Sequence, residues 1–278
     1  MTISSKPFLS SYTFMNECEH AVMLPEDSYQ SKYKGNIIPD NVKNNDKIFV
    51  VTDLVKWFFD KVDPTIKNQY TLITGRSDVI VNSEISNLRS DKVIKWFSTN
   101  NTTSDVYSIP LGLDNKTWKF DDNPQADTDL LKFVMNEKIE KDFPLLVSFN
   151  VNTNREERHY AVDILLGLDN ITYKKYGEKQ RFDKNQLKAF YRLLKSHKFC
   201  ACPWGNGPDT HRFWQCLYLN TIPIVKRHPA YKEFYDLPAL WIDDWEDLKY
   251  INLESEYEKI IGNKEKIWFS YWSEKING

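Results

Sequence analysis

The sequence predicts an α/β protein built as two successive Rossmann-like domains, and three observations carry that prediction. From residue 47 onward, short apolar runs of strand length alternate with helix-patterned stretches. The alternation is interrupted once, over residues 119–143, by an acidic and then helical stretch. It then resumes at Pro144 and continues almost to the end of the chain. Strands that alternate with helices favour a parallel sheet with helices on its faces. A chain of 278 residues accommodates two such domains of roughly 100–150 residues each.

Composition narrows the class of protein. Hydrophobic residues make up 41% and charged residues 27%, which suits a folded globular chain and excludes a disordered one. The formal net charge of -2 provides no global basic footprint for nucleic acid. No apolar run approaches the ~18 residues of a membrane span. The first residues lack a basic start followed by an apolar block, so a soluble cytoplasmic protein is expected. The cysteines, Cys18, Cys200, Cys202 and Cys216, show neither a CxxC nor a Cys/His pair at zinc spacing. Cys200 and Cys202 alternate on a predicted buried strand and read as reduced core thiols.

Residues 1–46 are polar and read as irregular. Residues 47–52 (KIFVVT) form a predicted strand, and 53–62 a helix that stops before Pro64. Residues 70–74 (YTLIT) form the next strand, running into the turn-like Gly75-Arg76-Ser77-Asp78. A further apolar run follows at 79–81, then a helix near 83–88, a short strand at 93–97 and another at 107–113, with Pro110 near an edge or end. Beyond the boundary, the sequence predicts strands at 144–149, 171–173, 199–202, 221–225 and 239–242. Helices are expected at 156–166, 184–196, 213–219, 254–261 and 264–276. The domains are accordingly 1–140 and 141–263, with 264–278 packing back on the first.

In open parallel sheets, ligands bind outside the carboxyl ends of the strands. Three polar loops fall at predicted strand ends, Gly75–Asp78, Asn150–Arg155 and Trp204–Arg212, and are expected to converge on one cleft. In the last of these, which Pro203 opens and where Asn206 stands between the glycines, Gly205 and Gly207 allow close approach of backbone to a ligand. Asp209 or Thr210 is placed to cap the following helix, whose first turn carries His211 and Arg212. A helix amino terminus beside such a loop suits an anion, and Arg212 suits a diphosphate. The loop is neither a P-loop nor a GxGxxG fingerprint. Asn150, Asn152, Thr153, Arg155 and Arg158 repeat the pattern at the start of the second domain. In the first domain, Asp78 follows one strand and Asp53 another; Asp53 also reads as a helix cap. Asp127-Thr128-Asp129 matches a DxD metal pattern but follows a polar stretch, so a solvated helix start is expected.

These segments resemble the donor-site region of exostosin-type glycosyltransferases. The likeness rests on Arg212-Phe213-Trp214-Gln215 in the helix and Thr221-Ile222-Pro223-Ile224-Val225 in the next strand. It extends to Val147-Ser148-Phe149-Asn150 with Thr153-Asn154-Arg155, and to Ile109-Pro110-Leu111-Gly112-Leu113. The resemblance implies a GT-B fold, two Rossmann-like domains facing a cleft, with the C-terminal helix crossing back to the first domain. It further implies transfer, with inversion and without an essential metal, of a hexose or a pentose such as xylose. The donor would be a nucleotide sugar, usually UDP-linked, and the acceptor a sugar hydroxyl of a glycan or glycoprotein. Asn150, Asn152, Thr153, Arg155, Arg158, Pro203, Gly205, Asn206, Gly207, Asp209, Thr210, His211, Arg212 and Gln215 are then the expected donor-binding residues. The expected base is Asp78, with Asp53 second. Gln215 departs from the family, which has a ribose-binding Glu at this helix position. A GDP-sugar (fucosyl-type) transferase and a non-catalytic carbohydrate-binding protein are the alternatives.

Overall fold

The computed structural model describes residues 7–23, 37–114, 128–175 and 183–278. They form two compact units, each built on a five-stranded, fully parallel sheet. Among the described residues no helix is long and apolar enough to cross a membrane. The N-terminal unit contains the described residues up to 114, with Pro229–Glu233 and Trp268–Gly278. The C-terminal unit contains the described residues of 128–228, with Phe234–Ile267.

The N-terminal sheet runs in chain order: β1 (His20–Val22), β2 (Asp46–Val51), β3 (Tyr70–Gly75), β4 (Val93–Ser98) and β5 (Tyr107–Ser108). Every residue of β3 is buried, as expected for a central parallel strand covered on both faces. Phe58, Phe59, Tyr70 and Trp96 pack ring against ring beneath it. The Tyr70 hydroxyl donates to Asp63 Oδ1 at 2.6 Å, and burial pushes its pKa upward. The helix expected over 53–62 is irregular: a 3-10 turn, a short α2 (Val55–Trp57) and a π turn follow one another before Pro64.

Two further expectations for this unit differ from the structure. The strand expected over 107–113 stops at Ser108. Gly112 then turns at φ 72°, where an added Cβ would lie 2.3 Å from the Leu9 carbonyl oxygen. The N-terminal stretch, expected to be irregular, supplies α1 (Ser11–Asn16) and the edge strand β1. Ser10 caps α1 by accepting from Thr13 N, and β1 pairs with β2 in the register His20 to Ile48. A small polar residue as cap and a three-residue edge strand leave no strong periodic signal.

The C-terminal sheet has strands β6 (Phe143–Val147), β7 (Ile171–Tyr173), β8 (His197–Ala201), β9 (Ile222–Lys226) and β10 (Leu240–Ile242). Their spatial order is β10-β9-β8-β6-β7. Counted from β6, this is 2-1-3-4-5, the order of a doubly wound sheet that reverses direction between its first and third strands. The helices of this unit are α4 (Thr128–Asn136), α5 (Arg155–Leu165), α6 (Lys184–Lys195), α7 (His211–Tyr218) and α8 (Leu253–Lys259). The expected division at 140 does not follow the packing, because α4 is held to α6 in this unit. The Lys195 ammonium donates to the carbonyls of Val134, Met135 and Glu137, and Arg192 pairs with the Glu137 carboxylate. Residues 264–267 also stay with this unit. The last helix, α9 (Phe269–Asn277), belongs to the N-terminal unit, where Phe269 meets Phe14 edge-on and Trp268 lies against Phe8.

Candidate functional site

The reversal between β6 and β8 directs attention to the two loops that leave their carboxyl ends. At such a switch point the connections depart to opposite faces of the sheet and leave a crevice between them, the usual ligand position in this class. After β6 come Ser148 to Asn154, and after β8 come Cys202 to Thr210. The sequence places eleven of its expected donor-binding residues between Asn150 and Thr210 on these loops and the first turn of α5. The other three, His211, Arg212 and Gln215, lie on α7.

Arg158 ties the two loops together. Its Nη1 donates to the Asn150 carbonyl at 2.6 Å, Nε to Trp204 O at 2.7 Å and Nη2 to Pro203 O at 3.2 Å. The side chain is buried and approaches the Phe149 ring. Charge-assisted bonds to carbonyls are stronger than neutral ones, and here they satisfy backbone oxygens that loop geometry leaves without strand partners. Arg158 is therefore a positioning residue whose guanidinium faces the protein's own backbone. Asn154 adds a second tie: its Oδ1 caps α5 by accepting from Glu157 N, while its Nδ2 donates to Gly205 O at 3.1 Å. A Cβ on Gly205 would lie 3.1 Å from Arg158 Nη2, so this glycine gives the clamp its room.

The remaining predicted residues separate into a buried frame and an open rim. Asn150 turns the chain by accepting from Asn152 N, and the Thr153 hydroxyl donates to Asn150 O. Pro203, Gly207 and Asp209 are buried, and Gly207 O accepts from Gly205 N. The Asp209 carboxylate accepts the Trp214 indole N–H at 2.9 Å, so it anchors the loop to α7 from within. Thr210 caps α7 through Phe213 N. Asn152, Arg155 and Asn206 are exposed, and His211 is half-buried. Arg155, at the first position of α5, makes no side-chain hydrogen bond or ion pair among the described residues and is the open cation of the edge.

Arg212 is half-buried and oriented by three contacts. Its Nη1 donates to Ser148 O at 3.0 Å, its Nε to Gln215 Oε1 at 3.0 Å, and its guanidinium lies 4.2 Å from the centre of the Phe190 ring. Gln215 is buried one turn along α7. In this arrangement it holds Arg212, and a neutral amide oxygen orients the guanidinium without neutralising it.

Several neighbours lie outside the sequence prediction. Lys226, at the end of β9, pairs with Glu157 at 3.1 Å and Asp244 at 3.7 Å. Glu157 also accepts the Trp245 indole N–H, and the Tyr160 hydroxyl donates to Asp244. That bond helps push the tyrosine up to about 12. Trp204 stands over this group, with its indole N–H toward Lys226 O and its ring edge-on to His228. Burial pushes the His228 pKa down, favouring the neutral ring. The position of Lys226 as the polar end of an apolar strand was a readable signal. Its pairing with Glu157 and Asp244 comes from three separate segments.

In the N-terminal unit, both expected bases lie at the carboxyl edge of the sheet, and both are exposed. Asp53 lies within a 3-10 turn whose cap position is Val51, so it is not the helix cap its sequence position suggested. Asp78 follows Arg76, which adopts a left-handed backbone at φ 57°. The DxD pattern begins at Asp127, outside the described residues; Asp129 is exposed in the first turn of α4 and pairs with Lys132. Compared with known proteins, the chain matches no protein-family model and has no significant match among curated proteins.

Proposed function

We propose that the chain is an inverting glycosyltransferase whose C-terminal unit binds the diphosphate of a nucleotide sugar. The observation that carries this reading is the switch point between β6 and β8, with its two loops fastened together by Arg158. An open cation at Arg155 and an oriented one at Arg212, beside the loops of a switch point, suit an anionic ligand such as a diphosphate. In the reaction, an acceptor sugar hydroxyl attacks the anomeric carbon. The bond from that carbon to the diphosphate oxygen breaks, and the hydroxyl proton passes to a carboxylate. Negative charge grows on the departing diphosphate, and Arg155, Arg212 and the amino end of α7 stabilise it there. Asp78 is the first choice for the base and Asp53 the second. That no metal is needed at the diphosphate, and that UDP is the carrier, are expectations drawn from the exostosin-type resemblance.

A second reading concerns the donor. Gln215 carries an amide where the resembled family has a ribose-binding carboxylate, and it is buried and engaged by Arg212. Uridine and guanosine carry the same ribose, so position 215 does not choose between them, and a GDP-sugar transferase is the alternative donor reading.

A thermal-shift series with UDP- and GDP-linked sugars tests both readings, because a ligand that binds the native state raises the melting midpoint by mass action. The expected result is a clear rise with one donor, together with release of its nucleoside diphosphate when an acceptor glycan is supplied. Stabilisation without turnover across a panel of glycans would favour a binding protein. No stabilisation by any nucleotide sugar would remove the proposal.

A further inference from the structure

We propose that Cys200, Cys202 and Cys216 form a buried trithiolate site for one thiophilic cation, with Cu(I) as the ion that fits it. The proposal does not rest on the function proposed above. Cys200 and Cys202 flank the carboxyl end of β8, two residues apart, and so project to one face of the sheet. Cys216 comes down on that face from α7. The three sulfurs all lie within 4.8 Å of one another, with Cys202 Sγ and Cys216 Sγ 3.8 Å apart. A cation at the centre of three thiolates, with metal–sulfur bonds of about 2.3 Å, holds its sulfurs about 4.0 Å apart. Side-chain rotations of a few tenths of an ångström close the difference.

The coordination number selects the ion. All three thiols are fully buried, and no fourth His, Cys, Asp or Glu joins the group among the described residues. Zinc in structural sites takes four ligands, whereas soft thiolate sets select Cu(I). The nearest histidine on β8, His197, is three residues from Cys200 and so projects to the other face of the strand. Three thiolates around a monovalent ion leave surplus negative charge. The Arg212 guanidinium, one turn before Cys216, acts electrostatically on Cys200 and Cys202 and offsets part of it.

The position gives the site a consequence. Cys202 immediately precedes Pro203, and Cys216 lies on the helix that Thr210 caps. A bound ion would join the two ends of the Pro203–Thr210 loop beneath its exposed surface.

The test uses the full-length reduced protein, loaded anaerobically with Cu(I) and challenged with a chromophoric Cu(I) chelator. The expected outcome is one equivalent of copper retained per chain, a rise in melting midpoint, and at least a hundredfold loss of affinity in Cys200→Ser and Cys216→Ser. Cys18→Ser should bind as wild type. X-ray absorption on the loaded wild-type protein should show three sulfur neighbours, a readout that depends on no variant. Copper retained equally by the Cys200→Ser and Cys216→Ser proteins would overturn the proposal. So would failure of the fully reduced wild type to retain copper, or a four-coordinate zinc held in its place.

Discussion

The carboxyl edges of the two sheets are built in contrasting ways. In the C-terminal unit the strand order reverses between β6 and β8, and side chains fasten the flanking loops to each other. In the N-terminal unit the described strands follow chain order, with no reversal. Its edge relies on unusual backbone instead. Arg76 and Asn100 adopt left-handed conformations at φ 57° and 52°, and Asn100 Nδ2 donates to Ser77 O. The hydroxyls of Ser11 and Thr99 are buried nearby without a hydrogen-bond partner among the described residues. One edge is a cradle fixed by charge-assisted bonds. The other carries local strain and unmet polar groups, features that gather where a fold serves something other than its own stability.

The largest expected effect comes from breaking the cradle. Arg158→Met should lower stability by about 3–5 kcal/mol, because three carbonyls lose a charged donor at once and are left largely without replacement. A denaturant titration reads this as a lower midpoint, and nucleotide binding should fall with it. An unchanged midpoint would mean that the two loops are fixed by something else. Next in size, Asp209→Ala should cost about 2 kcal/mol, since the buried Trp214 indole N–H loses its acceptor. Arg155→Ala should do the opposite. Among the described residues its side chain makes no hydrogen bond or ion pair, so the midpoint should stay within about 0.5 kcal/mol of wild type. Affinity for a nucleoside diphosphate should nevertheless drop about tenfold, roughly 1.4 kcal/mol. If Arg155→Ala and Arg158→Met fail in the same way, the distinction between frame and rim collapses.

Much of the fold was legible because its strands are short apolar runs and its helices carry caps and stripes. The strand at 171–173 and the amino terminus of α6 fall where the pattern puts them, and most other boundaries shift by one or two residues. What could not be read was anything set by tertiary partners. The order β10-β9-β8-β6-β7 depends on which strands meet, and no local pattern encodes it. Arg155 and Arg158 look alike in sequence, three residues apart on one helix. Only the fold reveals that one faces solvent and the other faces Asn150, Pro203 and Trp204. The cysteines were similar: the alternation of Cys200 and Cys202 was visible, but the approach of Cys216 depends on how α7 packs over β8.

The smallest expected effect sharpens the contrast from the other edge. A non-glycine residue at φ 57° pays for its Cβ, and Arg76 also places its guanidinium 5.1 Å from the Tyr12 ring centre. Arg76→Gly alone mixes three changes: relief of strain, loss of the cation–π contact, and greater freedom of the unfolded chain. Arg76→Ala loses the same contact but keeps the Cβ. The difference between the two variants therefore isolates the backbone. Arg76→Gly should be more stable than Arg76→Ala by about 1 kcal/mol, the reverse of their order at an ordinary helical or extended site. Equal stabilities, or alanine ahead, would mean that the turn after β3 is not held left-handed in solution. If glycine leads, the strain at this edge is real, and it stands where Asp78 follows within two residues.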